Sequence, residues 1–378
     1  MANIKSILSG VIDSTAHFVR GTINLIKLPF CKEYYSSESY FPEMASQRKS
    51  RVRIFFEQVV NILKYDYPNK YYFLFGLDIN DFHNVADYVD NSDFMRRQYS
   101  MNTKYMTYPP ISVLRDKALF GIVADAYGIK SPKNIGILKA EEVYLFKERR
   151  SVSFSKLIES KYFESFGNDL FVKKIDGECA DGVYHVTIKE GKLFYKSNVV
   201  DVNNGLFEKG HRYLIQESIK GQHQAISSIH PKAINTLRLV TVYNEKTDDV
   251  ELFSCVLRVG KGENQVDNWA AGGLSIGVDT DNGVLRKYGF YKPGFGTKAT
   301  EHPDSHIVFE GYKVPYMQDA INQALSLHRH LYGLHNIGWD IAITNDGPCF
   351  VEGNDNWEIS LMQISNHGLK KEFDQLFH

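Results

Sequence analysis

Residues 338–354, Gly-Trp-Asp-Ile-Ala-Ile-Thr-Asn-Asp-Gly-Pro-Cys-Phe-Val-Glu-Gly-Asn, leave the chain little choice of local structure. Two apolar runs flank Asn-Asp-Gly, a combination that closes a β-hairpin. A three-residue loop, Asn345 to Gly347, would pair Thr344 with Pro348 and set Asp340 opposite Glu352. One face would then carry Ile341, Ile343, Cys349 and Val351 toward a core. The other would carry Asp340, Glu352 and Asn354. Like charges directly across a strand pair repel, so a cation is expected between them, and hard oxygen donors suit Mg²⁺. A two-residue turn would slip the register by one and split the trio. The competing reading is a solvated hairpin face without a ligand.

At 378 residues the chain can form two or three units with substantial cores. Its formal charge of −1 provides no global attraction to nucleic acid. Cys31, Cys179, Cys255 and Cys349 lack a CxxC pair and read as reduced thiols. No apolar run approaches the ~20 residues of a membrane span. A cytoplasmic protein is expected, since Asp13 and His17 interrupt the N-terminal apolar residues and no cleavage-site pattern follows.

Ile4, Ile7, Leu8, Val11, Ile12, Thr15, Phe18 and Val19 recur at helical spacing, with Ile23 and Ile26 continuing less regularly. With Lys5, Arg20, Lys27 and Lys32, this helix could lie on the inner face of a membrane. The commoner outcome for such a pattern is a helix packed on the protein or on a second copy in a homodimer. From about Ser46 to Lys104, helical patterns alternate with polar turns and a Tyr-rich stretch. A helix is expected to open at Ser112 and run to Tyr127, ending at Gly128. Another spans about Val314 to Leu331. His328, His330 and His335 read as surface or helix-end residues, since no zinc-ligand spacing completes them. Residues 293–310 read as a loop by the active site.

A strand ending in Lys173 and Lys174 leads into Asp176-Gly-Glu-Cys-Ala-Asp-Gly-Val183 and a second strand. Gly177 and Gly182 would let backbone N–H groups approach phosphates, with Lys173 supplying a point charge. Asn235-Thr236-Leu237-Arg238 enters an alternating strand. Arg238 amid apolar neighbours calls for an anion, either a phosphate or a structural carboxylate. Arg258 lies on the following strand, ahead of a polar loop with Asp267, Asn268, Gly272 and Gly273.

Asn235-Thr236-Leu237-Arg238, Gly338-Trp339-Asp340-Ile341-Ala342 and Glu352-Gly353-Asn354, in that order, resemble the sugar-transfer-associated ATP-grasp family. The resemblance runs from about Arg115 to the C-terminus. It implies an α+β ATP-grasp fold: a mainly helical region at 1–108, an ATP-grasp N-terminal part at 109–220 and a C-terminal subdomain at 221–378. It places Lys117 on a nucleotide phosphate, and adenine on the backbone of Gln216, Glu217, Ser218 and Ile219. Ribose falls to Gln222 or His223. One or two Mg²⁺ fall to Asp340, Glu352 and Asn354, and Arg238 joins Lys117 and Lys173 in cradling phosphates.

The Arg258-to-Gly273 segment is similar to the acceptor loop of ATP-grasp glutamate ligases. It implies that Arg258 steadies an acyl phosphate and that Asn268 helps shape the acceptor pocket. The implied activity is an ATP-dependent carboxylate–amine ligase of polysaccharide biosynthesis, joining an amine to a small-molecule or glycan carboxylate. A sugar or glycan phosphotransferase, or a non-catalytic nucleotide-binding partner of a glycosyltransferase, are the alternatives. Several such ligases carry an arginine two residues before the metal-binding Asp, where this chain has Gly338.

Overall fold

The computed structural model describes residues 16–104, 110–177, 182–196, 198–200, 206–208, 210–264 and 267–377. Two antiparallel sheets dominate, and the architecture is α+β. The first holds β1 (Asn134–Lys139), β2 (Glu142–Leu145), β3 (Arg150–Ser153), β4 (Asp169–Lys174), β5 (Val183–Lys189), β6 (Lys192–Tyr195), β7 (Asn198–Val200) and β8 (Arg212–Glu217). Its strand order is β3-β2-β1-β8-β4-β5-β6-β7. The second holds β9 (Thr236–Asn244), β10 (Asp249–Val259), β11 (Leu274–Asp279), β12 (Val284–Tyr291), β13 (Lys298–Ala299), β14 (Asn336–Thr344) and β15 (Gly347–Asn354), in the order β13-β12-β11-β10-β9-β14-β15.

The second sheet is covered on both faces, and so β9 and β14 are buried nearly end to end instead of alternating. On one face Leu237, Leu239, Ile341 and Ile343 pack with the helix Met317–His330. On the other, Val240, Val242 and Phe253 meet Tyr71, Phe75 and Phe94 of the N-terminal region and Trp357 and Phe377 near the C-terminus. Hydrogen bonds tie that layer down: Asn102 Oδ1 accepts from the backbone N–H of His335 and Asn336, and Val89 N–H donates to Gln363. The N-terminal layer thus forms one wall of the sheet's core.

Of the helix expected from Ile4, residues 4–15 lie outside the described residues; 16–27 are helical. Residues 71–79 form buried turns. The helix expected from Ser112 is two, Ile111–Arg115 and Lys117–Ala126. They break at Asp116, whose backbone is extended and whose carboxylate caps Ala118 and Leu119 N–H at 2.9 and 3.0 Å. No described helix is long and apolar enough to cross a membrane. Cys31, Cys255 and Cys349 are free thiols, and Cys179 lies outside the described residues.

His328 and His335 are buried rather than superficial. His328 bonds Thr241 Oγ1 at 2.7 Å and Leu334 O at 2.9 Å, while His335 reaches Leu376 O at 2.8 Å. A histidine so enclosed needs only backbone and hydroxyl partners, which leave no spacing signature. Burial pushes His328 down to about 4, outweighing its bond to Leu334. The unfolded chain therefore takes up this proton first. The associated stability is complete above the ordinary 6.5 and lost as pH falls through about 4; its full size is about 3 kcal/mol. Denaturant titration of the wild type and His328→Gln, at neutral pH and near the folded value, should show a steeper acid loss in the wild type. Parallel losses would contradict the assignment.

Candidate functional site

The hairpin departs from the expected register in two ways that cancel. Thr344 pairs with Gly347, Ile343 with Pro348, Ala342 with Cys349 and Ile341 with Phe350, so the turn is the shorter, two-residue one. The next pair is nevertheless Asp340 with Glu352, because Val351 is an extra residue, a β-bulge. The bulge restores the position that the tight turn removes. It also changes the faces. Phe350 joins Ile341 and Ile343 in the core, Cys349 lies opposite Ala342, and Val351 lines the cleft.

Asp340 is also in register with Arg238 on β9, and Thr236 is in register with Arg258 on β10. Four neighbouring strands, β10, β9, β14 and β15, thereby deliver four charged groups, Arg258, Arg238, Asp340 and Glu352, to one point. Arg238 makes a bidentate pair with Asp340, Nη2 reaching Oδ2 at 2.9 Å. Arg258 Nη2 donates to Thr236 Oγ1 at 2.9 Å, Asp340 Oδ2 at 3.1 Å and Asp267 Oδ1 at 3.2 Å. Asp267 in turn accepts from Thr236 N–H at 2.9 Å. Arg258 Nε is buried and has no partner among the described residues.

Burial works to raise Asp340, but Arg238 and Arg258 overcome it and hold the carboxyl well below its usual range. Burial raises Glu352, and the facing Asp340 raises it further, against the pull of Lys117 and Lys173. Unequal carboxylates at one point relieve their repulsion by protonating the weaker acid. A hard divalent cation would relieve it instead, and Asn354 adds a third oxygen. Its Nδ2 donates to Gly338 O at 3.3 Å and to Glu352 Oε1 at 3.5 Å, so the amide oxygen is the atom that would ligate a cation. The set of two carboxylates and an amide carbonyl fits such a cation.

A cleft of about 560 Å³ runs between the sheets and contains this cluster. Of the sequence-predicted residues it gathers Lys117, Lys173, Gly177, Glu217, Ile219, Arg238, Arg258, Asn268, Asp340, Glu352 and Asn354. Lys117 Nζ donates to Gly177 O, closing one side. Burial pushes the Lys173 ammonium down; Glu352 pulls the other way, and Lys117 adds to the push. An anion entering here would relieve the crowding of the two lysines. Phe171 and Ile219 supply apolar wall.

Five nucleotide-side candidates stand apart from that lining. Gly182, at φ +64, accepts from Lys174 N–H through its carbonyl, and residues 178–181 of the glycine loop lie outside the described residues. Gln216 is buried, with Nε2 on Asn134 Oδ1 at 2.8 Å. Ser218 N–H is given to Asp169 O, just as Glu217 N–H is given to Lys133 O. Gln222, expected near ribose, spends its side chain on Asn235, Nε2 reaching the carbonyl at 2.7 Å. His223 caps Ala225 N–H at 3.1 Å. The Glu217 carboxylate does line the cleft.

Residues 95–376 match the model of the sugar-transfer associated ATP-grasp family. The chain belongs to that family. Among solved structures it is similar to D-alanine–D-alanine ligase from Bacillus anthracis, with 15% identity, 74% of this chain, 73% of that chain and a TM-score of 0.38. It is also similar to VanG D-Ala:D-Ser ligase from Enterococcus faecalis, with 14% identity, 70% of this chain, 61% of that chain and a TM-score of 0.39. A third is N5-carboxyaminoimidazole ribonucleotide synthetase from Thermotoga maritima, with 13% identity, 65% of this chain, 42% of that chain and a TM-score of 0.34. Likenesses this distant add nothing to the family match. No curated protein matches the chain.

In this ATP-grasp protein Gly338 has a steric cause. A Cβ there would come within 2.6 Å of Trp357 Cβ, so that indole fills the space an arginine would need. Gly273 is similarly constrained, its Cβ position lying 2.7 Å from Val259 O. Asn268 caps Ala270 N–H at 2.9 Å and turns the chain so that Asp267 meets Arg258. The loop ahead of it hangs from His302 Nε2 at Gly260 O, 2.8 Å, and His230 Nε2 at Asn264 O, 3.1 Å. Residues 293–310 therefore back the 260–273 loop and are not among the residues lining the cleft.

Sequence reasoning missed four charged residues that also line the cleft. Arg115 pairs with Asp355 at 2.6 Å. Lys292 stands 5.7 Å from the Trp269 ring and 3.9 Å from Glu358, which also accepts from Tyr71 and from Ser360 at 2.9 Å. Asp355 beside Glu-x-Asn was the one available signal; its partner lies 240 positions away.

Proposed function

We propose that the cleft is the active site of an ATP-dependent ligase that activates a carboxylate as an acyl phosphate and passes the acyl group to an amine. The observation that carries this reading is the convergence of Arg238, Arg258, Asp340 and Glu352 with Lys117 and Lys173 in one cleft. Adenine would lie against Phe171 and Ile219, with Glu217 near the ribose and Lys117 and Lys173 on the phosphates. Asp340, Glu352 and Asn354 would hold Mg²⁺, which neutralises phosphate charge and orients the transferring group.

A carboxylate oxygen attacks the γ-phosphorus and ADP leaves with the bridging oxygen. The amine then attacks the acyl carbon; the C–O bond to phosphate breaks, inorganic phosphate departs and the amine loses its proton. Arg258, which lines the cleft and whose Nε has no partner among the described residues, would meet the negative charge on the acyl phosphate and its adduct. Lys292, Arg115, Asp355 and Glu358, which also line the cleft, provide both signs of charge for an amino-acid acceptor. The other substrate would be a sugar or polysaccharide precursor, a reading prompted only by the words sugar-transfer associated in the family description.

Phosphoryl transfer to a sugar hydroxyl is the second reading, favoured by the Trp357-filled space at Gly338. Hydroxylamine separates the two. With ATP, Mg²⁺ and sugar-nucleotide uronic acids, the ligase reading expects ADP together with a hydroxamate. A stable phosphomonoester indifferent to hydroxylamine would replace it with the kinase reading.

A further inference from the structure

The helix Arg51–Tyr65 is turned the opposite way from an ordinary surface helix. Its buried residues are Ile54, Gln58, Asn61 and Ile62. The two amides are anchored inward: Gln58 Nε2 donates to Tyr34 O at 2.8 Å, and Asn61 Nδ2 to Tyr67 O at 2.9 Å. The outward face carries Val52, Phe56, Val60 and Leu63, with Phe56 61% and Leu63 69% exposed. At about 100° per residue these four fall within one quadrant. A helix that buries amides and exposes a phenylalanine–leucine stripe is partnered on its outer side.

The neighbouring helical residues 16–27 repeat the arrangement. They are fixed to the end of Arg51–Tyr65 through Asp66, whose carbonyl accepts from Asn24 Nδ2 at 2.8 Å and whose carboxylate meets His17. Phe18, 76% exposed, Ile23 and Ile26 face solvent, and Phe30, 83% exposed, follows. Arg20, Lys27, Lys32, Arg51, Arg53 and Lys64 are exposed on the same two segments, against Glu33 and the partly buried Glu57 and Asp66. A chain of formal charge −1 has thus gathered cations around its exposed apolar side chains.

We infer that these two helices form a docking surface for an anionic lipid bilayer. Phenylalanine, leucine and isoleucine enter the interfacial zone while lysine and arginine meet lipid phosphates. Charge decides between a bilayer and a second copy of the chain. Protein interfaces are depleted in lysine, and two such faces would bring their cations together. The inference is independent of the reaction in the cleft.

The full-length protein is sedimented with vesicles of phosphatidylcholine mixed with phosphatidylglycerol, and with vesicles of phosphatidylcholine alone. Binding is expected for the mixed vesicles and should weaken with added salt. Phe56→Asp combined with Leu63→Asp should lower partitioning by roughly tenfold or more, the worth of one buried side chain of this size. Lys27→Glu with Lys32→Glu, which disturbs no buried group, should remove the preference for anionic lipid. Circular dichroism checks that each variant is folded. Equal binding to both vesicle types, or binding unchanged in the lysine variant, overturns the inference. So does a wild-type dimer that ignores vesicles and dissociates on Phe56→Asp, which would assign the face to a second copy.

Discussion

Replacing Asp340 with asparagine is expected to lower turnover by roughly a thousandfold while the chain still folds. The substitution removes one charge and almost no volume, yet that charge serves three partners. It balances Arg238 through a bidentate pair and Arg258 through Oδ2, and it sits opposite Glu352 as one of two carboxylates for the cation. Two buried guanidinium groups would be left with Asp267 and Glu352 as the nearby carboxylates. Removing one member of a buried ion pair costs about 3–5 kcal/mol, so a fall in melting temperature should accompany the loss of activity. Steady-state kinetics with a thermal melt of the same sample checks both. A variant melting normally and turning over within a few-fold of wild type would contradict the site.

Arg258→Lys should depress kcat by roughly two orders of magnitude with little change in nucleotide affinity. Lysine preserves the charge but not the planar fork. In the native protein one Nη2 spans Thr236, Asp267 and Asp340, and Nε has no partner among the described residues. A single ammonium cannot hold the carboxylates and reach the transferring group at once. The contrast with Lys173→Ala is informative, since Lys173 is proposed to meet the nucleotide phosphates and its loss should then appear in binding. A normal kcat in Arg258→Lys, with weakened ADP binding, would move Arg258 from the acceptor side to the nucleotide side.

The hairpin and its acidic trio were legible because Asn-Asp-Gly and alternating polarity are local signals. The bulge at Val351 was not: it depends on how β15 meets β14, and a one-residue slip in the turn happened to be compensated by it. Arg238 was legible as a buried cation needing an anion, though its protein partner is the proposed metal ligand itself. Gln222 misled because a polar side chain after the hinge looks free in sequence, whereas its amide is bound to Asn235. His328 and His335 misled for the same reason, their partners being distant backbone carbonyls and a strand threonine. Long-range pairs such as Arg115–Asp355 and Tyr71–Glu358 exist only once the N-terminal layer and second sheet have packed.

The central claim is that Asp340 and Glu352 form a cation-dependent nucleotide site, and it can be tested without knowing the acceptor. Glu352, raised by burial and by Asp340, must give up its proton as the cation enters. Calorimetric titration of ADP in the presence of Mg²⁺, repeated in buffers of different ionisation enthalpy, counts that proton. Binding is predicted to require Mg²⁺, to release protons when begun below the raised Glu352 value, and to strengthen as pH rises through it. Glu352→Gln should abolish the release. Binding that is indifferent to Mg²⁺, with no proton exchanged and no change in Glu352→Gln, would contradict the account.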